Sequence, residues 1–380
     1  MLNVEIPDFR SNDVIIQSLT HDPIANPLSL GCPVCAHYHV CGGLNVRASI
    51  IDCLDLCCGV PGRCSRVCRN KPTNYVQQVC EIGGYAFDNV DRTPTITIPL
   101  QHDIVPMVYH GSRRASALEN EVFALRLADI VNFKTGKLRF KSRKALGEAF
   151  RIADNADIIL SGVDHDYRIE PWWTLGENRI FLIRTLAELG VKIVTAPNFS
   201  VVLDHPRTDD LHALKRIALV FAEFQNAGLA CALHPNGRTQ QDFERWGRFI
   251  SDREEVRVLA YEFITGSNRI GRKQFHLDRL AELAAQAGRD LDIIVRGDPR
   301  VIPFLRSHFR KVVYIETNSF LKTVHRQYAE RVGNRKLNWN SAPTKHNECI
   351  DKLFAHNFHE HSALLRVLYY EGIDPFPLAA

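Results

Sequence analysis

The stretch "NRIFLIRTLAELGVKIVTAPN", residues 178–198, shows the pattern that decides the fold. Its first half predicts a helix, with Ile180, Ile183, Leu186 and Leu189 on one face and a glycine at the end. Its second half, "VKIVTAPN", is a short apolar run typical of a strand buried on both faces of a parallel sheet. A helix that ends at glycine just before such a strand indicates a βα repeat.

The same pattern recurs along the chain. The segments "DLHALKRIALVFAEFQNAG" and "HLDRLAELAAQAG" also predict helices that end at glycine ahead of a strand. Apolar runs that predict strands occupy residues 95–100, 104–111, 156–162, 191–198, 228–236, 256–263, 291–297 and 311–317. Seven or eight βα units in about 220 residues predict an α/β fold of the TIM-like (β/α)8 barrel type. An open doubly wound sheet is the alternative, although the chain has neither nucleotide-binding fingerprint, G-x-G-x-x-G or G-x4-G-K-[ST].

Composition and charge indicate the class of protein and its compartment. The 380 residues are 45% hydrophobic and carry a net charge of +4, which is ordinary for a globular protein. We expect a cysteine-rich metal-binding module over residues 1–90 and a barrel with a basic C-terminal helical region over 91–380. Neither a secretory signal nor an apolar run of membrane-spanning length is present, so we expect a cytoplasmic protein without a membrane partner.

Nine of the eleven cysteines fall between residues 32 and 80, beginning with "GCPVCAHYHVCGG" at 31–43. Cytoplasmic thiols stay reduced, so a cluster of this density predicts metal ligands rather than disulfides. The predicted ligands are Cys32, Cys35, Cys41, Cys53, Cys57, Cys58, Cys64, Cys68 and Cys80. They could serve a 4Fe-4S iron-sulfur cluster or zinc, at one site or two. The two later cysteines, Cys231 and Cys349, are predicted to be core residues.

The predicted strands end in polar side chains, and in a barrel the chemistry sits at these carboxyl ends. The candidate catalytic residues are Asp164, Asp166, His234 and Glu262. The candidate substrate-binding residues are His110, Arg113, Arg114, Asn198, Asn236, Arg238, Arg296 and Glu316. Carboxylates could act as general base and nucleophile while arginines hold a phosphate. Alternatively, the four candidate catalytic residues could ligate a divalent metal.

Residues 306–336 form a basic stretch that could contact DNA or RNA. Its cations are Arg306, Arg310, Lys311, Lys322, Arg326, Arg331, Arg335 and Lys336. Tyr314, Phe320, Tyr328 and Trp339 are interleaved with them or follow closely, and aromatic rings of this kind can stack on bases. A solvated helical face is the alternative interpretation.

"APNFSVVLDHP" followed by "FAEFQNAGLACALHP" resembles a stretch in a family from phages and mobile elements that shows Pro-Asp-Phe-Ser at a strand end. Asn198 stands where that family has aspartate, and the resemblance implies no activity. More distantly, a barrel with metal-binding cysteines, carboxylates and a basic surface is similar to tRNA-guanine transglycosylase-like enzymes. In those the cysteines lie near the C-terminus, whereas here they come first.

Three functions are therefore open. The first is an enzyme acting on a phosphate-bearing substrate, with nucleic acid favoured and base exchange or base modification as its reaction. The second is a metal-dependent hydrolase or lyase of a small phosphorylated metabolite. The third is a non-catalytic nucleic-acid-binding protein.

Overall fold

The protein is described by a computed structural model that covers residues 78–118, 120–201, 207–264, 266–268, 272–345 and 348–371. Eight of the nine predicted metal-ligating cysteines, Cys32 to Cys68, lie outside these ranges, as does most of the predicted N-terminal module.

Two parallel sheets form the centre of the described chain. The strands are β1 (Ile104–Pro106), β2 (Val122–Arg126), β3 (Val131–Asn132), β4 (Lys137–Leu138), β5 (Asp157–Ser161), β6 (Val191–Thr195), β7 (Ala230–Ala232), β8 (Val258–Phe263), β9 (Asp292–Gly297), β10 (Lys311–Glu316), β11 (Gln327–Val332) and β12 (Lys336–Ser341). One four-stranded sheet has the order β1-β10-β9-β8 and the other β2-β5-β6-β7, with parallel pairing throughout. The pairs β3-β4 and β11-β12 are antiparallel. The predicted α/β class is confirmed.

The two parallel sheets touch at both of their edges. Parallel bridges join Met107 to Ala124, just after β1, and Leu233 to Leu259, just after β7. Backbone hydrogen bonds support both contacts: the Val108 N–H donates to the Ala124 carbonyl at 2.9 Å, and the Leu233 N–H donates to the Val258 carbonyl at 2.9 Å. Each edge strand of one sheet is therefore the neighbour of an edge strand of the other.

The core has two layers. An inner apolar cluster takes one or two side chains from each of the eight parallel strands, and its members are Val105, Met107, Val122, Ala124, Ile159, Ile193, Ala230, Ala232, Val258, Ala260, Ile294, Val313 and Ile315. A larger cluster packs the opposite face of the strands against the helices. Because side chains alternate along a strand, each strand contributes to both layers.

Helices alternate with the strands. They are α1 (Leu127–Ile130), α2 (Arg143–Phe150), α3 (Asp166–Thr174), α4 (Asn178–Glu188), α5 (Arg207–Asn226), α6 (Gln240–Ser251), α7 (Lys273–Gln286), α8 (Ile302–Arg306), α9 (Asn318–Val324) and α10 (Asp351–Tyr369). The three predicted helices are confirmed as α4, α5 and α7, and each is followed by a glycine of positive φ. The predicted face of α4 was wrong at Ile180, which is 42% exposed, because Leu182 is buried in its place. No helix in the described ranges is both long and apolar enough to cross a membrane.

Seven of the eight predicted strands are confirmed, one is wrong, and one observed strand was not predicted. Residues 95–100 form no strand; Pro99 lacks an N–H to donate, and Ile96, Ile98 and Leu100 pack against the inner cluster instead. Strand β2 was not predicted, because three of the five residues in "VFALR", Ala124, Leu125 and Arg126, favour helices.

Candidate functional site

Four side chains lie above the inner cluster at the carboxyl ends of the strands. Arg126, Glu262 and Arg296 are two residues beyond inner-cluster members of β2, β8 and β9, so they continue the same face. Tyr109 follows Met107 in the same way and packs against both apolar layers. We call these four, together with Asp129, Asp164 and Arg168, the rim cluster.

Glu262 and Arg296 are direct neighbours in the β8–β9 register. Burial raises the pKa of Glu262 above its ordinary value; the charge of Arg296 opposes this shift and that of Asp164 adds to it. Neither carboxylate oxygen of Glu262 has a hydrogen-bond partner among the described residues. A half-buried carboxyl group with a raised pKa and no partner is available to exchange a proton with a ligand.

One nitrogen of the Arg296 guanidinium is bound within the protein, and another has no partner among the described residues. Its Nη1 donates to the Val163 carbonyl at 3.1 Å, while its buried Nε has no partner in the described chain. The following residue, Gly297, has φ +110°, and a Cβ there would lie 2.3 Å from the Phe263 carbonyl oxygen. Glycine at this position therefore lets the ends of β8 and β9 approach closely enough to seat both Glu262 and Arg296.

Two arginines and two aspartates form a closed ring of alternating charge. Arg126 binds Asp129 through Nε at 2.6 Å and Nη2 at 3.0 Å, and Arg168 also contacts Asp129. The Oδ2 of Asp164 lies 3.2 Å from Arg168 Nη1 and 3.6 Å from Arg126 Nη1. The Arg126 guanidinium lies 4.8 Å from the Tyr109 ring centroid, and burial raises the pKa of Tyr109. The ring therefore holds Asp164 in the rim cluster, where its charge acts on Glu262.

Three of the predicted site residues, Asp164, Glu262 and Arg296, thus come together. Asp166 does not join them: it begins α3, is exposed, and accepts a hydrogen bond from the Ser200 hydroxyl at 2.5 Å. Asn198 and Asn236 form a separate pair across the ends of β6 and β7, with the Asn236 amide donating to Asn198 Oδ1 at 2.8 Å.

His234 lies on the other side of β8 from Glu262. Its ring stacks on Tyr261 with centroids 5.4 Å apart, and the Tyr261 hydroxyl contacts His276 Nδ1 of α7 at 2.6 Å. Tyr261 and Glu262 are successive strand residues, so their side chains point to opposite faces. His234 is buried, and desolvation lowers its pKa to about 3. The structure therefore places it in the helix-facing layer as a neutral ring.

Two of the predicted anion-binding arginines bind the protein itself. Arg114 donates from Nε to Asp351 at 3.0 Å and from its two other nitrogens to the Phe150 and Arg151 carbonyls. Arg238 is buried and forms an ion pair with Asp210 at 3.0 Å.

Two other predicted substrate-binding residues, His110 and Arg113, lie close to Arg114 in the sequence, and both are exposed. The His110 ring rests edge-on against Phe320, with centroids 5.0 Å apart.

Glu316 belongs to a buried pair beside the rim cluster. His361 of α10 contacts its Oε1 at 3.0 Å, and the N–H groups of Asn318 and Ser319 donate to the same oxygen. These contacts with His361 and the backbone hold the pKa of Glu316 below its usual range despite complete burial. Its second oxygen has no partner in the part of the chain that the structure describes.

Sequence reasoning missed several members of this site. Arg126 and Asp129 were overlooked because β2 was not predicted, although an arginine two residues after an inner-facing alanine is the signal that would have found Arg126. Tyr109, Arg168 and His361 carry no local signal of that kind. Arg168 lies one helical turn beyond Asp164, and His361 reaches Glu316 from 45 residues away.

The described cysteines are not gathered into a metal site. Cys80 is exposed and Cys231 is buried, the latter as predicted. Cys349 is exposed rather than a core residue, because its thiol lies ahead of α10 and donates to Asp351 at 2.9 Å. Within the described ranges, no group of three or more His, Cys, Asp or Glu side chains is placed to hold a metal ion.

Much of the basic stretch over 306–336 is engaged within the protein. Arg310, Lys311 and Arg331 pair with Asp292, Asp103 and Glu360. Tyr314 and Phe320 are buried and cannot stack on a ligand.

The part of the basic stretch that stays accessible to a nucleic acid is the hairpin β11–β12. Tyr328 is 42% exposed and stacks on His356, with ring centroids 4.1 Å apart. The Lys322 ammonium lies 5.7 Å from the centroid of the Trp339 ring. Arg335 and Lys336 at the turn are exposed.

In comparisons with known proteins, no family model matches the chain and no curated sequence is significantly similar to it.

Proposed function

We propose that the eight parallel strands form one closed TIM-like ring and that the rim cluster is the active site of an enzyme acting on a phosphate-bearing substrate. Three observations support the ring: the bridges at both sheet edges, the parallel pairing of all strands within the two sheets, and an inner apolar cluster to which all eight strands contribute side chains. In such a ring the carboxyl ends of the strands share one opening, where active sites of this architecture lie.

Glu262 carries the proposal. It is a half-buried carboxyl group with a raised pKa, it has no partner in the described chain, and it stands beside an arginine with an unpartnered Nε. We assign it the role of general acid and base, because burial raises its pKa above that of an exposed glutamate and its carboxyl oxygens have no hydrogen-bond partner among the described residues. Arg296 would hold an anionic group of the substrate next to it.

Asp164 has a different role because its surroundings differ. Two arginines lie within 3.6 Å of its Oδ2, whereas the carboxyl oxygens of Glu262 have no such partner among the described residues. Two neighbouring carboxyl groups in different surroundings can take different roles in one site. Asp164 would stabilise positive charge that develops on the substrate, or act as its nucleophile.

Nucleic acid is the favoured substrate, with base exchange or base modification as the reaction. The support is the hairpin β11–β12, which is joined to the rim-proximal end of β10 through α9. Its exposed Tyr328 could stack on a base, and Arg335 and Lys336 could contact phosphates. A two-stranded ribbon is also one of the elements that the major groove of DNA admits.

The test compares the wild-type protein with Glu262→Gln, which keeps the shape of the side chain and removes its proton. Each protein is incubated with DNA and RNA oligonucleotides and isotope-labelled free bases, and mass spectrometry measures label in the polymer. We expect incorporation by the wild type and at least a hundredfold loss in the variant. Filter binding should show that both bind the oligonucleotides equally.

The same experiment separates the alternatives. Turnover of small phosphorylated metabolites without polynucleotide binding would replace nucleic acid by a small substrate. Tight, salt-sensitive polynucleotide binding with no turnover would indicate a binder. Equal turnover by the wild type and Glu262→Gln would contradict the assigned active site. In the binding arm, the double variant Arg335→Ala/Lys336→Ala should lower the salt dependence of log K by about 1.5–2.

A further inference from the structure

A second basic concavity lies away from the rim cluster. It is a cleft of about 620 Å³ between residues 86–92 and the second half of α6, and four arginines line it: Arg92, Arg245, Arg248 and Arg253. Arg253 precedes β8, whereas Glu262 lies near the end of that strand. The arginine cleft and the rim cluster are therefore at opposite ends of β8.

Two of the arginines build the wall of the cleft. Arg245 donates to the Tyr85 carbonyl, and Arg253 donates to the Val90 carbonyl and, at 2.9 Å, to the Asp91 carbonyl. Both side chains are buried, and Arg245 lies over the Phe87 ring at 4.4 Å from its centroid. These bonds hold the 86–92 segment in place, so both positive charges are fixed before a ligand arrives. Such preorganisation reduces the ordering that binding requires.

Positive charge is in excess around the cleft. Asp88 and Asp252 line it, and Glu255 pairs with Arg92 and Arg253, so three carboxylates face four arginines. The ammonium of Lys215, fully buried, lies just behind the wall and donates to the Ala86 carbonyl.

Burial is the main influence on the pKa of Lys215. Burial lowers its pKa to about 8; Asp88 opposes this shift, and Arg245 and Arg253 add to it. Lys215 therefore adds a fifth basic group beside the four arginines of the cleft.

One of the four arginines is uncommitted. Arg248 is exposed on α6, and its guanidinium has no hydrogen-bond or ion-pair partner among the described residues. Arg92 is paired with Asp252 and Glu255, but its side chain remains 56% exposed. A phosphate entering the cleft could accept from Arg248 and compete with the Asp252 carboxylate for Arg92.

We propose that the arginine cleft binds a small phosphate-bearing ligand at a site separate from the rim cluster. Its volume lies within the range of roughly 300–1,000 Å³ that small-molecule sites occupy. A phosphate group matches the planar donors of arginine, and Phe87 and Phe249 provide apolar surface beside them. The proposal does not depend on the function assigned to the rim.

The test is calorimetric titration of the full-length protein with inorganic pyrophosphate and, separately, with ATP, both at low ionic strength. The variant is Arg248→Ala. The matched control is Arg184→Ala, which removes an exposed arginine of another helix, α4, that has no hydrogen-bond or ion-pair partner among the described residues. We expect the wild type and Arg184→Ala to bind equally and Arg248→Ala to bind about tenfold more weakly, since hydrogen bonds between charged groups are the strong ones. Arg248→Glu should weaken binding further.

The two probes distinguish the source of the phosphate. ATP binding at least tenfold tighter than pyrophosphate would identify a nucleotide; equal affinities would show that the phosphate groups alone are recognised. Three results would overturn the proposal: no binding of either probe by the wild type, the same affinity in Arg248→Ala, or the same loss in Arg184→Ala.

Discussion

Replacing Gly297 with alanine should destabilise the protein by about 3 kcal/mol. Gly297 ends β9 with φ +110°, and an added Cβ would lie 2.3 Å from the Phe263 oxygen, 2.5 Å from the Phe263 carbonyl carbon and 2.8 Å from Ile264 Cγ1. A residue with a Cβ adopts such a φ at a cost of about 1–2 kcal/mol. Relieving the overlap requires the two strand ends to separate, which costs roughly a further 1–3 kcal/mol.

Gly288→Ala is the matched control. Gly288 also has a positive φ, +62°, but a Cβ there would meet no atom of the described chain within 4 Å. The control should therefore lower the free energy of unfolding only by the cost of a positive φ at alanine, about 1 kcal/mol. The difference between the two variants isolates the close approach of β8 and β9.

Urea unfolding followed by tryptophan fluorescence measures both variants, and the midpoint shift at constant slope gives the change in free energy. Gly297→Ala should also impair the rim, because Arg296 precedes Gly297 and Glu262 precedes Phe263 in the paired strand. Equal midpoints for the two variants would refute the close packing of these strand ends, and with it the geometry that seats Glu262 beside Arg296.

Three further predictions concern single side chains. Asp351→Asn should lower the free energy of unfolding by about 1–2 kcal/mol at neutral pH. Hydrogen bonds hold the pKa of Asp351 at about 2, so its stabilising effect is complete above pH 4 and disappears as the pH falls toward 2. Urea titrations at several pH values should therefore show the stability of the variant converging on that of the wild type near pH 2. His234→Phe should keep the ring contact with Tyr261 and raise the free energy of unfolding by about 1 kcal/mol. Because the pKa of His234 is lowered to about 3, the wild type loses stability as the pH falls below 6.5, and the variant should lose less. Abolished turnover in the variant would instead restore a catalytic role to His234. Arg331→Ala breaks an ion pair with Glu360 on the surface and should cost about 0.5 kcal/mol, so a shift above 2 kcal/mol in the same assay would show that the hairpin depends on it.

The sequence predicted the repeating part of the fold because that part obeys local rules. Glycine-terminated helices followed by apolar runs located α4, α5, α7 and seven strands. The rules failed where a strand contains residues that favour helices, as in β2, and where an apolar run packs through its side chains without backbone pairing, as in residues 95–100.

The site was predicted in part, for a reason visible at single residues. Asp164, Glu262 and Arg296 follow or end predicted strands, so the topology alone brings them together. Arg114 follows a predicted strand too, yet Asp351, 237 residues away, binds its Nε. His234 follows a strand but turns toward Tyr261. Partners so distant in sequence leave no trace in local pattern, so strand-end position indicates where a side chain starts but not what it binds.

The pKa of Glu262 tests the central claim most directly, because it reports whether residues from β8, β9 and the loop after β5 share one rim. It can be measured by carbon NMR of labelled glutamate, with Glu262→Gln identifying the signal. We expect a value above that of an exposed glutamate, rising further in Arg296→Met and falling in Asp164→Asn. An ordinary pKa that neither substitution changes would mean that these three side chains do not share a site.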